Sequence, residues 1–101
     1  MDTTPSLSSE ALVHTTVPSR YLQQLCKHFA HRCPVTFDEV SGHIAFDAGN
    51  CHLKAAGGTL QLIATAAGDA QLEQVQDVVA RHLVRFAFRE ELTIDWHKVV
   101  R

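Results

Sequence analysis

Apolar side chains recur through the first third of the chain with a helical period. Leu22, Leu25, Cys26, Phe29 and Cys33 fall at i, i+3, i+4, i+7 and i+11, while Gln23, Gln24, Lys27 and His31 lie opposite. Pro34 closes this predicted helix, and Ser19 is placed to cap its start. A second stripe of Leu72, Val75, Val79, His82, Leu83 and Phe86, with Glu73, Gln74, Asp77 and Arg81 on the wet side, predicts a longer helix opened by Gly68-Asp69.

Elsewhere the period is two. Ala11 to Val17 is expected to be a first strand, closed by Pro18. Val35 to Thr65 has the form of a meander with turns at Val40-Ser41-Gly42, Asp47-Ala48-Gly49-Asn50 and Gly57-Gly58. Pairing Phe37 with Ile44, Ile44 with Leu53 and Leu53 with Leu62 makes one inward row, and Val35, Phe46, Cys51 and Ala64 make the next. This keeps one apolar face in phase across the meander. Leu92, Ile94 and Trp96 alternate with Thr93, Asp95 and His97 as a last strand. The order β-α-β-β-β-β-α-β, with one apolar stripe on each helix and one apolar sheet face, predicts an α+β two-layer sandwich: an antiparallel sheet with two helices on one face. Residues 1–9, rich in Ser and Thr, are expected to be a disordered tail, and residues 10–101 a single α+β domain.

Composition narrows the function classes. The net charge of −2 gives no global basic field for nucleic acid or an anionic membrane. No stretch approaches the ~20 apolar residues of a membrane span, and no leader is visible at the start. The three cysteines are irregularly spaced, which argues against a disulfide scaffold and for a cytoplasmic protein. On a continuous helix Cys26 and Cys33 stand about 10.5 Å apart, beyond the roughly 7 Å limit for a bridge.

Histidines and a charged corner supply the candidate chemistry. His28 and His31 form an i, i+3 pair, and His82 lies in the apolar stripe of the second helix; together they are the candidate metal ligands. For His82 the alternative is a satisfied histidine bonded to a backbone carbonyl or to Glu90. Arg85, Arg89, Glu90 and Glu91 cluster after the second helix, either to grip an anionic ligand or to form a corner ion pair. On the outer sheet face the expected rows are Asp38, His43, Lys54, Gln61 and Thr36, Ala45, His52, Ile63, with His43 and His52 diagonal and Asp38 across from His43. No Gly-x-Ser-x-Gly elbow or phosphate-binding loop occurs, and Cys26 and Cys51 suit packing better than reactivity.

Three stretches carry a family likeness: Arg20 to Arg32 with Val35-Thr36-Phe37-Asp38, Gly42-His43-Ile44-Ala45-Phe46, and His82 to Trp96. In these the chain resembles a bacterial family catalogued as domain of unknown function 2218, over nearly all of its length beyond the tail. His28, His31, His82, Arg85, Arg89 and Glu90 match the pattern, whereas His43, His52 and His97 are peculiar to this chain. The resemblance implies no assigned activity. It does imply an association with siderophore-interacting flavoproteins and iron uptake.

The leading expectation is therefore a binding or accessory domain, linked to iron or siderophore handling, that engages a protein partner or small ligand through the open sheet face or through Arg85, Arg89 and Glu90. The alternative is a metal- or haem-binding protein using His28, His31 and His82. An enzyme ranks last, for want of a nucleophile–base or paired-acid constellation. A homodimer through sheet faces or edge strands is compatible with each.

Overall fold

The computed structural model describes residues 6–99. Its strands are β1 (Leu7–His14), β2 (Val35–Phe37), β3 (Ser41–Ala45), β4 (Gly49–Ala56), β5 (Thr59–Ala66) and β6 (His97–Val99), and its helices are α1 (Pro18–Phe29) and α2 (Asp69–Phe86). The strands form one antiparallel sheet in the order β2-β3-β4-β5-β1-β6. Both helices pack on one face, as the single apolar stripe on each requires.

The core lies between the layers. Leu22, Leu25, Cys26 and Phe29 of α1 and Leu72, Val75, Val79 and Leu83 of α2 are buried against Val13, Ile44, Cys51, Leu53, Leu60 and Leu62. Pro18 occupies the first turn of α1, where its missing N–H costs nothing. Ser19 therefore does not cap the helix. Its Oγ donates to the Glu39 carbonyl at 2.6 Å and so ties α1 to the β2–β3 turn. The helix stops at Phe29, short of Pro34; the amides of Arg32 and Cys33 both donate to the Phe29 carbonyl in a closing turn.

The register departs from expectation in two places. Leu53 does face Leu62, because Gly57-Gly58 is a two-residue hairpin turn with Gly57 at φ +56°. On β3, however, Ile44 faces Val35 and Cys51, and Gly42 faces Phe37 and Leu53, a shift of two residues on each side. Asp38 is the cause on the β2 side. Its Oδ1 accepts from the amides of Val40 (2.8 Å) and Ser41 (2.9 Å), which pulls the reversal back to Glu39-Val40. The next turn is equally tight, with Phe46 and Gly49 exchanging backbone hydrogen bonds around Asp47-Ala48. A shift of two leaves every side chain on its expected face.

Strand β1 begins at Leu7, inside the stretch expected to be a tail, and ends at His14 rather than Val17. Ser8 and Ser9 are buried where β1 is clasped between β5 and β6. Leu92, Ile94 and Trp96 do alternate inward, yet ladder pairing is confined to His97–Val99. Both sheet edges, β2 and β6, are only three residues long, which limits edge-to-edge pairing.

Candidate functional site

The charged corner is a pocket built on one carboxylate. β1 runs into Thr15, which is buried and anchored by its amide on the Gly58 carbonyl at 3.0 Å. The Thr15 hydroxyl accepts from the Val17 amide and donates to Glu90 Oε2 at 3.0 Å. One turn into α1, Tyr21 is only 5% exposed and its hydroxyl donates to the same oxygen at 2.7 Å. Glu90 is presented by a turn after α2, where its amide bonds the Ala87 carbonyl. Thr15 and Tyr21, near neighbours in sequence, thus both reach Glu90 Oε2, 75 and 69 residues away. Burial, then the hydrogen bond to Glu90, then its negative charge push the Tyr21 phenol up to about 12.

Glu90 itself is half-buried and has no basic partner among the described residues. The ion pairs there are Arg81–Asp77 and Lys98–Asp69, both on exposed surface elsewhere. Glu90 opens into a cavity of about 500 Å³ lined by Val17, Arg20, Tyr21, Gln24, Phe86, Phe88 and Arg89. Phe88 is 80% exposed, and the Arg89 guanidinium stands 5.3 Å from the centre of its ring, a cation–π distance. The corner therefore offers an aromatic wall, guanidinium groups at the rim and a fixed carboxylate. Arg85 is exposed on the last turn of α2 and does not line this cavity.

The candidate metal ligands meet only in part. α1 and α2 run antiparallel, which brings the His28 and His82 rings to 4.9 Å and packs them with Phe29 and Phe86. His82 Nδ1 donates to the Val78 carbonyl at 2.7 Å, the satisfied-histidine alternative, and does not reach Glu90. His31 lies exposed in the turn beyond α1 and stacks on neither ring. Among the described residues no group of three or more His, Cys, Asp or Glu side chains is placed to hold a metal ion, and a lasting zinc site needs three or four protein ligands. Burial, then the neighbouring positive or titrating groups His82, Arg32, His31 and Arg85, hold the His28 pKa below its ordinary value.

A second depression, about 610 Å³ in volume, lies on the open face of β2 to β5. The two-residue register shift places His43 directly opposite His52 instead of diagonal to it, and the rings stack at 4.5 Å. It also removes Asp38 from that row, since its carboxylate is committed to its own turn. His43 Nε2 lies 3.0 Å from Asn50 Oδ1. This depression is larger than the corner cavity and its lining is mixed, polar and apolar in similar measure; its Asp38 and His43 already have partners. The corner differs from it in setting the Phe86 and Phe88 rings beside a half-buried carboxylate that has no cationic partner among the described residues.

The Cys26 and Cys51 thiols are buried in the core. Burial pushes Cys26 up to about 11 and Cys51 up to about 12, and all three cysteines are free. No helix among the described residues is long and apolar enough to cross a membrane.

Arg89 and Glu90 were legible as a pair of adjacent charges; Thr15, Arg20, Tyr21 and Phe88 were not. The one available signal was Tyr21, a polar-tipped aromatic at the edge of the α1 stripe, which needs a hydrogen-bond partner when buried.

Comparison with known proteins agrees with this fold. A family model described as "Uncharacterized protein conserved in bacteria (DUF2218)" matches residues 10–97. The NMR structure of PA4090 from Pseudomonas aeruginosa is similar, with 35% identity and a TM-score of 0.77 over 90% of this chain and 95% of that one. No curated protein matches. The iron or siderophore association implied by the resemblance gains no support from the family description or from the arrangement of the histidines.

Proposed function

The chain belongs to this bacterial family of uncharacterised proteins, and we propose that it is a small non-enzymatic binding domain whose site is the corner pocket between α1 and the turn after α2. One observation carries the reading: Glu90, half-buried and unpaired by any cation among the described residues, is held by the Tyr21 and Thr15 hydroxyls at the base of an aromatic cavity. A carboxylate kept only to tie the turn after α2 to the start of α1 needs no open cavity beside it. Phe88, 80% exposed, gives a ligand an apolar ring to cover. The cavity volume falls in the range of small-molecule sites.

A ligand-observed NMR screen of small aromatic acids and amines tests this. Compounds that bind the native protein are expected to lose binding in Arg89→Ala and Glu90→Gln and to keep it in His43→Ala. The reverse pattern would move the site to the open sheet face.

A further inference from the structure

We infer that the corner pocket selects a small zwitterion, an amino acid or a close analogue with an apolar body, in place of a simple anion or a simple amine. The inference rests on the corner being the binding site and names the class of ligand it takes.

The two oxygens of Glu90 are not equivalent. Both hydroxyl donors, from Tyr21 at 2.7 Å and Thr15 at 3.0 Å, are spent on Oε2. Oε1 has no hydrogen-bond donor among the described residues, while Glu90 lines the cavity. Such an oxygen accepts from an N–H donor, most strongly from an ammonium. A ligand bearing only carboxylate or phosphate would face the Glu90 charge with nothing to offer it.

The rim has the opposite sign. Arg20 and Arg89 both line the cavity and neither is in an ion pair among the described residues. The Arg89 guanidinium lies 5.3 Å from the centre of the Phe88 ring, a cation–π distance that favours this placement. A ligand bearing only an ammonium would leave these guanidiniums unmatched. A molecule with an ammonium for Glu90, a carboxylate for Arg20 and Arg89, and an apolar group for Phe86 and Phe88 satisfies all three features at once. Each mismatched charge also repels, so discrimination comes from rejection as well as attraction.

Three probes separate the possibilities: L-phenylalanine, phenethylamine, which keeps only the ammonium, and 3-phenylpropionate, which keeps only the carboxylate. Each is titrated at neutral pH while the amide NMR signals of Tyr21, Gln24, Phe86 and Phe88 are followed. L-Phenylalanine is expected to bind about tenfold to a hundredfold more tightly than either single-charge probe, the worth of one charge-assisted hydrogen bond. Glu90→Gln should erase its advantage over 3-phenylpropionate, and Arg89→Ala its advantage over phenethylamine. Arg20→Gln, on exposed surface, repeats the second test if Arg89→Ala unfolds. A single-charge probe within about threefold of L-phenylalanine would overturn the zwitterion assignment while leaving the pocket as the site. Absence of shifts with all three would also overturn it, and the wider screen of acids and amines then decides the pocket separately.

Discussion

Tyr21→Phe isolates the bond on which the corner depends. The substitution keeps a ring that is 5% exposed and removes only the hydroxyl that donates to Glu90 Oε2 at 2.7 Å. A hydrogen bond to a charged group contributes about 1.5–3 kcal/mol. Here the lower end applies, about 1.5 kcal/mol, because Glu90 is half-buried and water reaches the freed oxygen. For a domain of this size that corresponds to roughly 6–12 °C in Tm. Thr15→Val, which removes the second donor at 3.0 Å, should cost a comparable amount. The double variant should cost more than the sum, since each donor partly covers for the other at the same oxygen. Urea unfolding followed by fluorescence of Trp96, the single tryptophan, reads all three. Because Tyr21 is also the single tyrosine, the ultraviolet absorbance of its phenolate reports it alone. Ionisation should occur near about 12 and move down, though not to the ordinary value of 10.0, in Glu90→Gln, because burial is the larger cause and remains. A change of less than about 0.5 kcal/mol in Tyr21→Phe, together with a native Tyr21 that ionises at its ordinary value of 10.0, would refute the convergence on Glu90.

Three other outcomes follow from the packing and the titrating groups. Gly42→Ala should destabilise by about 1–3 kcal/mol through overpacking: the added Cβ would sit 2.7 Å from Cys26 Sγ beneath α1. Cys26→Ala in the same molecule should recover much of the loss, as a double-mutant cycle in urea would show. Stability should fall as pH drops below about 6.5, since His28 and His52 have folded-state pKa values below the ordinary one; the unfolded chain takes up protons first, so the contribution is present above that pH and lost below it. At the alkaline end the sign reverses. The raised Tyr21 phenol keeps its proton in the folded state, so stability is retained below about pH 10 and lost as pH climbs through about 12, a loss that Tyr21→Phe should abolish.

Much of the architecture was visible in periodicity, and the misplacements have physical causes. The α1 and α2 stripes and the Gly57-Gly58 hairpin follow from local chemistry, and so does the alternation of Leu92, Ile94 and Trp96. The β2–β3 and β3–β4 pairings differ by two residues from the pattern hydrophobicity suggests, because an even shift preserves faces and hydrophobicity carries no information about it. What decided the first was the Asp38 side chain, a turn-forming contact that competes with apolar pairing. Ser8 and Ser9 look like tail in composition, yet two neighbouring strands bury them. The candidate site was half legible in the sequence. Arg89 and Glu90 stand together in sequence, but Tyr21 and Thr15 lie 69 and 75 residues from Glu90, and only the tertiary fold joins them. His28 and His82 did meet, whereas the early end of α1 at Phe29 left His31 outside their cluster.

The most direct measurement is a map of amide NMR shifts on adding a compound found to bind. Perturbations concentrated on Thr15, Tyr21, Gln24, Phe86, Phe88, Arg89 and Glu90, and absent in Glu90→Gln, are the expected result. Perturbations confined to Thr36, His43, His52, Lys54 and Gln61, and unchanged in Glu90→Gln, would place binding on the open sheet face and contradict the assignment of the corner.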